Sequence, residues 1–136
     1  MKRLLIWMAA ALLLCILAGC SVEKKGEKKQ NDVEFTIVDE EEIPKEMAGV
    51  IEEQKREPFQ ITYGDKEYLY IGQGYGEQPT SGYSISVDSC YEAEHAIYIH
   101  TSLLGPGMEE EISENPTCPY VVVKVKWSEK HVVFES

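Results

Sequence analysis

"LYIGQGYGEQPTSGYSISV", residues 69–87, sets Gly72, Gly74, Gly76 and Gly82 between two runs that read as β-strands. A phosphate cradle built on such glycines needs a strand, a tight turn and then a helix whose first N–H groups point at the anion. Here the glycines lead into Pro79 and then into Tyr83, Ile85 and Val87, which alternate with Ser84, Ser86 and Asp88 at the period of a strand. No Lys follows, and the surroundings are acidic. The stretch therefore reads as a wide hairpin loop between strands, where glycine admits a positive φ or a bulge.

The flanks of this loop continue the β pattern. Phe59, Ile61 and Tyr63 alternate, Gly64-Asp65 turns the chain, and residues 68–71 return. Residues 96–103 and 120–127 make two more strands, and residues 131–134 a last one after a turn at Ser128-Glu129-Lys130. Residues 104–119 hold Gly105-Pro106-Gly107, an acidic run and two further prolines, a long irregular loop. Upstream, Val33, Phe35 and Ile37 alternate as a first strand. Ile43, Met47, Val50 and Ile51 fall on one stripe of a helix expected from Pro44 to about Arg56, with acids before it and Pro58 beyond its end. One helix and about seven strands with short connections predict an α+β domain on a curved antiparallel sheet.

The N-terminus has a different character. Lys2 and Arg3 precede an apolar run, residues 4–18, too short to span a bilayer. It ends in Leu17-Ala18-Gly19-Cys20, which resembles the lipobox of bacterial lipoproteins. That resemblance implies cleavage after Gly19 and a diacylglyceryl group on Cys20. Two acyl chains at ~0.8 kcal/mol per buried methylene suffice for stable anchoring. The expected division is a signal peptide (1–19), a flexible tether (20–32) and one domain (33–136). The tether is polar and charged, without the apolar surface needed to order itself. The expected location is extracytoplasmic, with the protein lipid-anchored to the bacterial cell membrane through Cys20.

Charge narrows the partners. The chain carries 13 Lys and Arg against 24 Asp and Glu; losing residues 1–19 removes Lys2 and Arg3 and leaves 11 against 24. Nucleic acid is not expected as a partner, because phosphate contacts need clustered Lys and Arg. No Lys or Arg lies between Lys66 and Lys124. Cys15 leaves with the signal and Cys20 carries lipid, so Cys90 and Cys118 remain. In an oxidising compartment this pair reads either as one disulfide or as two buried thiols.

The order Thr80-Ser81-Gly82-Tyr83-Ser84-Ile85 resembles the Thr-Gly-Gly-Tyr-x-Ile signature of the PrcB family, the accessory subunits of secreted protease complexes. Pro106-Gly107 and Pro119-Tyr120-Val121-Val122 follow in the family's order, and Pro44 and Pro58-Phe59 precede it in the same way. The likeness covers roughly residues 33–135. Ser81 departs from it, standing where the family has the first glycine of its pair, and so does Cys118, which stands where an ordinary small residue is expected. The resemblance implies a non-catalytic domain that stabilises or docks a partner, in some members an exported protease.

Enzyme chemistry finds no constellation. His95 and His100 are an odd number apart, so a regular strand would point them to opposite faces. No third metal ligand of the right type is evident beside Glu92 and Glu94. Neither cysteine has a His and an orienting group placed by the sequence, and Ser81 lacks a strand-to-helix elbow. No cofactor or metal is expected. The partner-binding segment is taken as the exposed loop of Gly74, Tyr75, Gly76, Thr80, Ser81, Gly82 and Tyr83, with Tyr75 at its tip. The other reading is a surface lipoprotein holding a peptide or glycan with Tyr75, Tyr83 and the acidic loop.

Overall fold

The computed structural model describes residues 29–135. The expected signal peptide, Cys20 and most of the tether lie outside the described residues. The elements are β1 (Asn31–Asp32), β2 (Thr36–Ile37), a 3-10 turn (Glu40–Glu42), α1 (Lys45–Gln54), β3 (Pro58–Gly64), β4 (Tyr68–Tyr75), β5 (Ser84–Glu92), β6 (Ala96–Leu104), β7 (Tyr120–Lys126) and β8 (His131–Glu135). The α+β class holds, with one α-helix among the described residues.

The strands divide between two four-stranded sheets, where the sequence suggested one. The outer sheet has the order β1-β5-β6-β8 and the middle sheet β2-β7-β4-β3. All pairings are antiparallel except β6 with β8, which run parallel from Ala96 opposite His131 to His100 opposite Glu135. The alternating stretch 33–37 is not one strand. Asn31 and Asp32 pair with β5, whereas Thr36 and Ile37 pair with β7. Between them the chain steps from one sheet to the other, with Val33 and Phe35 packed on the inter-sheet core.

Three layers result: outer sheet, middle sheet, helix. Leu69, Ile71, Val121, Val123 and Val125 of the middle sheet face Cys90, Ile97 and Ile99 of the outer sheet. Tyr70 and Val122 point the other way, toward Ile43, Met47 and Ile51 of the helical layer. Full burial of one such aliphatic side chain contributes about 1.5–3 kcal/mol. The helical stripe is narrower than expected: Met47 and Ile51 are buried, while Val50 is exposed at its edge. Pro58, just beyond the helix end, already belongs to β3.

This layering explains the composition of β4. As a middle-layer strand it is covered on both faces from Leu69 to Gly74. A Cβ added at Gly74 would lie 2.2 Å from Cε2 of Phe59, so the aromatic ring of β3 rests directly on the backbone there.

The connections define two ends of the molecule. Residues 76–83 join β4 to β5 and residues 105–119 join β6 to β7, both crossing between sheets at one end. At the other end the described chain enters, with Gln30 N–H donating to the Glu92 carbonyl at 2.8 Å, and residues 127–130 cross from β7 to β8. The nine residues of β5 set these ends about 30 Å apart.

Two glycine substitutions with opposite outcomes test this packing. Gly74→Ala overpacks the Phe59 contact and lowers stability by about 1–3 kcal/mol. Gly49→Ala lies in α1 with open space around the new methyl and raises stability by about 0.5–1 kcal/mol. Urea unfolding of both variants measures each; equal effects would contradict the layered arrangement.

Candidate functional site: a stitched pair of loops

The two loops at the end remote from Gln30 are joined to each other. Gln78 and Thr117 exchange both backbone hydrogen bonds, Gln78 N–H to the Thr117 carbonyl at 2.7 Å and the reverse at 3.0 Å. The Thr117 hydroxyl donates to the Thr80 carbonyl at 2.7 Å. Ser81 N–H donates to the Ser113 carbonyl at 3.0 Å, and Ser113 N–H returns the bond to Ser81 Oγ at 2.7 Å. Glu77 N–H donates to the Arg56 carbonyl at 3.0 Å, which fixes the pair to the end of the helical segment. Ser81, the departure from the family signature, therefore supplies an acceptor that glycine lacks.

Gly82 completes the junction. Its φ is +89°, a conformation that side chains resist. A Cβ there would approach Cβ of Pro106 to 2.7 Å, with Glu110 and Ile112 at 3.4 Å. Gly76 shares a positive φ of 80° and is buried. Tyr83 is half-buried and its ring lies against Gly105. Residues 80–83 thus form a cradle for the longer loop. The side chains offered to solvent belong mainly to that loop: Met108 is fully exposed, Leu104 and Ile112 about half, and Glu109, Glu110, Glu111 and Glu114 surround them in sequence.

Tyr75 is not at a loop tip. It ends β4 opposite Pro58, and its N–H donates to the Pro119 carbonyl at 3.2 Å. Gln73, Thr101 and Tyr75 make a polar chain between the sheets. Thr101 Oγ1 donates to Gln73 Oε1 at 2.8 Å, so the Tyr75 hydroxyl donates to Thr101 Oγ1 at 2.6 Å. Thr101 has 0% exposure and Gln73 5%, so each needs such a partner. Gly74 is likewise a buried strand residue. An open groove of about 360 Å³ runs beside them, lined by Pro58, Phe59, Gln60, Gln73, Gly74 and Tyr75.

Cys90 and Cys118 are free thiols, not a disulfide. They serve different layers. Cys90 is buried in the inter-sheet core, where burial pushes its thiol up to about 11. Cys118 is half-buried beside Val38, Glu40 and Ile43, next to the helical layer. A bulge directs Cys90 inward: the β5–β6 register shifts between Val87 and Ser89, leaving Asp88 as the extra residue.

The bulge also builds a cluster that sequence reading missed. Asp88 accepts hydrogen bonds from the Ser102 hydroxyl, from Ser86 at 2.8 Å and from His100 Nδ1 at 2.9 Å. The Ser102 and Ser86 hydroxyls and then His100 hold its carboxyl below the usual range. The available signal was a broken parity: Val87 and Cys90 both face the core although three positions apart. His95 sits in the exposed turn after β5 with its Nε2 3.9 Å from Glu94, away from His100. Among the described residues no three His, Cys, Asp or Glu side chains are grouped to hold a metal.

Residues 69–126 match the family model described as PrcB C-terminal, a span running from β4 to the end of β7 and enclosing both stitched loops. This part of the chain is PrcB-like. Searches of curated proteins and of solved structures each gave no match.

Two measurements check this geometry. Tyr75→Phe deletes the donor to Thr101 and destabilises the domain by about 1 kcal/mol, a loss seen in denaturant unfolding. Iodoacetamide applied to the native protein labels Cys118 well before Cys90, because only Cys118 is accessible and Cys90 resists ionisation. Equal labelling would mean that β5 opens easily.

Proposed function

We propose that this protein is a membrane-tethered, non-catalytic docking module outside the cell, which holds or stabilises a protein partner such as an exported protease. The observation that carries the reading is the stitched loop pair itself. It lies inside the segment that matches PrcB C-terminal, and it stands at the end of the sheets opposite the entry of the chain. A loop with its carbonyls and amides bound internally presents side chains at little ordering cost on binding. The Leu17-Ala18-Gly19-Cys20 sequence supports lipidation at Cys20 and attachment to the bacterial membrane from that opposite end.

The individual residues then divide by role. Gly76, Thr80, Ser81, Gly82 and Tyr83 shape the cradle, and Gly74 and Tyr75 anchor it to the middle sheet. Contact with the partner falls to the exposed parts of the pair. A peptide- or glycan-binding lipoprotein is the weaker reading, since the Tyr75 hydroxyl is committed to Thr101 and the adjoining groove is open.

Two experiments test the proposal. Cys20→Ala should release the protein from membranes or leave its leader unprocessed; retention of a processed protein would refute lipid anchoring. A photo-crosslinking residue at exposed Glu77 or Pro79 should trap one protein partner in intact cells, whereas the same residue at exposed Glu53 in α1 should not. Crosslinks from Glu53 alone would move the docking surface to the helix.

A further inference from the structure

We propose that the partner is gripped by the apolar tip of the long loop, and that its receiving surface is an apolar socket rimmed by Lys and Arg. The inference deepens the docking reading and rests on it. Met108 is fully exposed, and Leu104 and Ile112 are about half exposed. Leu104 closes β6, and Met108 and Ile112 follow in the loop, so exposed large apolar side chains succeed one another along this connection, the kind of surface that marks a binding site. Ile112 and Pro106 both lie against Gly82, which holds the base of the loop, and Met108, between them in sequence, is fully exposed. Methionine adapts to irregular pockets, which suits it to insertion.

Charge selects the occupant. Glu109, Glu110, Glu111 and Glu114 surround Met108 and Ile112 in sequence, and Glu77 lies on the adjoining loop. All five side chains are exposed. Neither loop contains Lys or Arg; the nearest bases, Lys55 and Arg56, sit at the end of the helical segment. An apolar tip inside an acidic field is repelled by anionic lipid and by acidic protein surfaces. It is steered toward a cationic one, and desolvation of Met108 and Ile112 in the socket then holds it there. The chain's own basic segment is poorly placed to serve. The described chain enters at the far end of β5, about 30 Å away, and residues 21–28 reach up to about 28 Å fully extended.

The probe for the test is a fluorescein-labelled amphipathic peptide of Leu and Lys, measured by anisotropy against the full chain in detergent. A Ser-for-Leu version of the peptide, oligo-lysine and phosphatidylcholine vesicles serve as comparisons. The Leu–Lys peptide should bind, and Met108→Ser should weaken it at least fivefold with an unchanged melting temperature; adding Ile112→Ser, which also loosens the contact over Gly82, should bring the loss to tenfold or more. Glu109→Gln, Glu110→Gln and Glu111→Gln together should also weaken it at low salt and flatten its salt dependence. The amide at 110 keeps the acceptor that Glu110 offers to Gly107 N–H. Equal binding of oligo-lysine or the Ser peptide, indifference to the Met108 and Ile112 changes, or capture by vesicles would each overturn the inference. The two proposals fail separately. Partner crosslinking that survives the Met108 and Ile112 changes overturns the socket and leaves docking intact. Absence of any crosslinked partner refutes docking, whatever the peptide does.

Discussion

Burial of β4 on both faces is the constraint on which the rest of the fold depends. A middle strand must satisfy two cores at once, and the side chains available to it are limited by what lies on each side. Leu69 and Ile71 fill the inter-sheet core, while Tyr70 fills the helical one. At Gly72 and Gly74 the space is already taken by Met47 and by the Phe59 ring. Gly72 and Gly74, which suggest an anion cradle, are therefore places where the helix and the neighbouring strand press closely on the backbone. Replacing them with bulkier residues would push α1 off the sheet and displace the Phe59 ring of the neighbouring strand β3, and the loop pair would lose the surface on which it is mounted.

Much of this was legible from alternation and punctuation, and the failures have specific causes. The spans of β3, β6, β7 and β8 and the first half of β5 follow from period-2 patterns and turn residues, and α1 from its apolar stripe and Pro58. The division into two sheets was hidden because alternation along 33–37 is equally satisfied when the chain changes sheets midway. The parallel pairing of β8 was hidden for a related reason: a five-residue strand carries no mark of its neighbour's direction. At Cys90 the sequence hides a change of parity. A single bulged residue, Asp88, reverses the facing of everything after it, and no local composition announces it.

The candidate site shows a similar division between what residues say and what they do. Residues 80–83 read from the sequence as a contact surface, whereas their backbone groups and the Ser81 hydroxyl are turned toward the second loop. Tyr75 was singled out by its position between glycines, where an aromatic suggests exposure. Its ring instead lies where the sheets meet, because Thr101 on β6 is buried and needs a hydroxyl donor. A long-range partner such as Thr101, 26 residues away, cannot be inferred from the composition around Tyr75. The long loop entered the sequence reading only through its acids, because an irregular segment with prolines gives no sign of which apolar side chains it exposes.

Stability and recognition are thereby carried by different parts of the same connection. The bonds that hold the loop pair, Gln78 with Thr117 and Ser81 with Ser113, use backbone groups and small hydroxyls. They ask nothing of Met108, Glu109 or Glu111, whereas the Glu110 carboxylate accepts from Gly107 N–H and lies over Gly82. A surface arranged in this way can change its contact residues without disturbing its support, whereas the cradle can change little, since Gly82 holds a positive φ against Pro106. The same separation orders the molecule in space. With Cys20 anchored as proposed, residues 21–28 permit up to about 28 Å of clearance, and β5 adds about 30 Å before the loops are reached. Extended in that way, the acidic tip can reach some tens of ångströms from the bilayer, several Debye lengths beyond its headgroup charge at physiological salt. At that reach the field that steers association comes from the protein partner and not from the membrane.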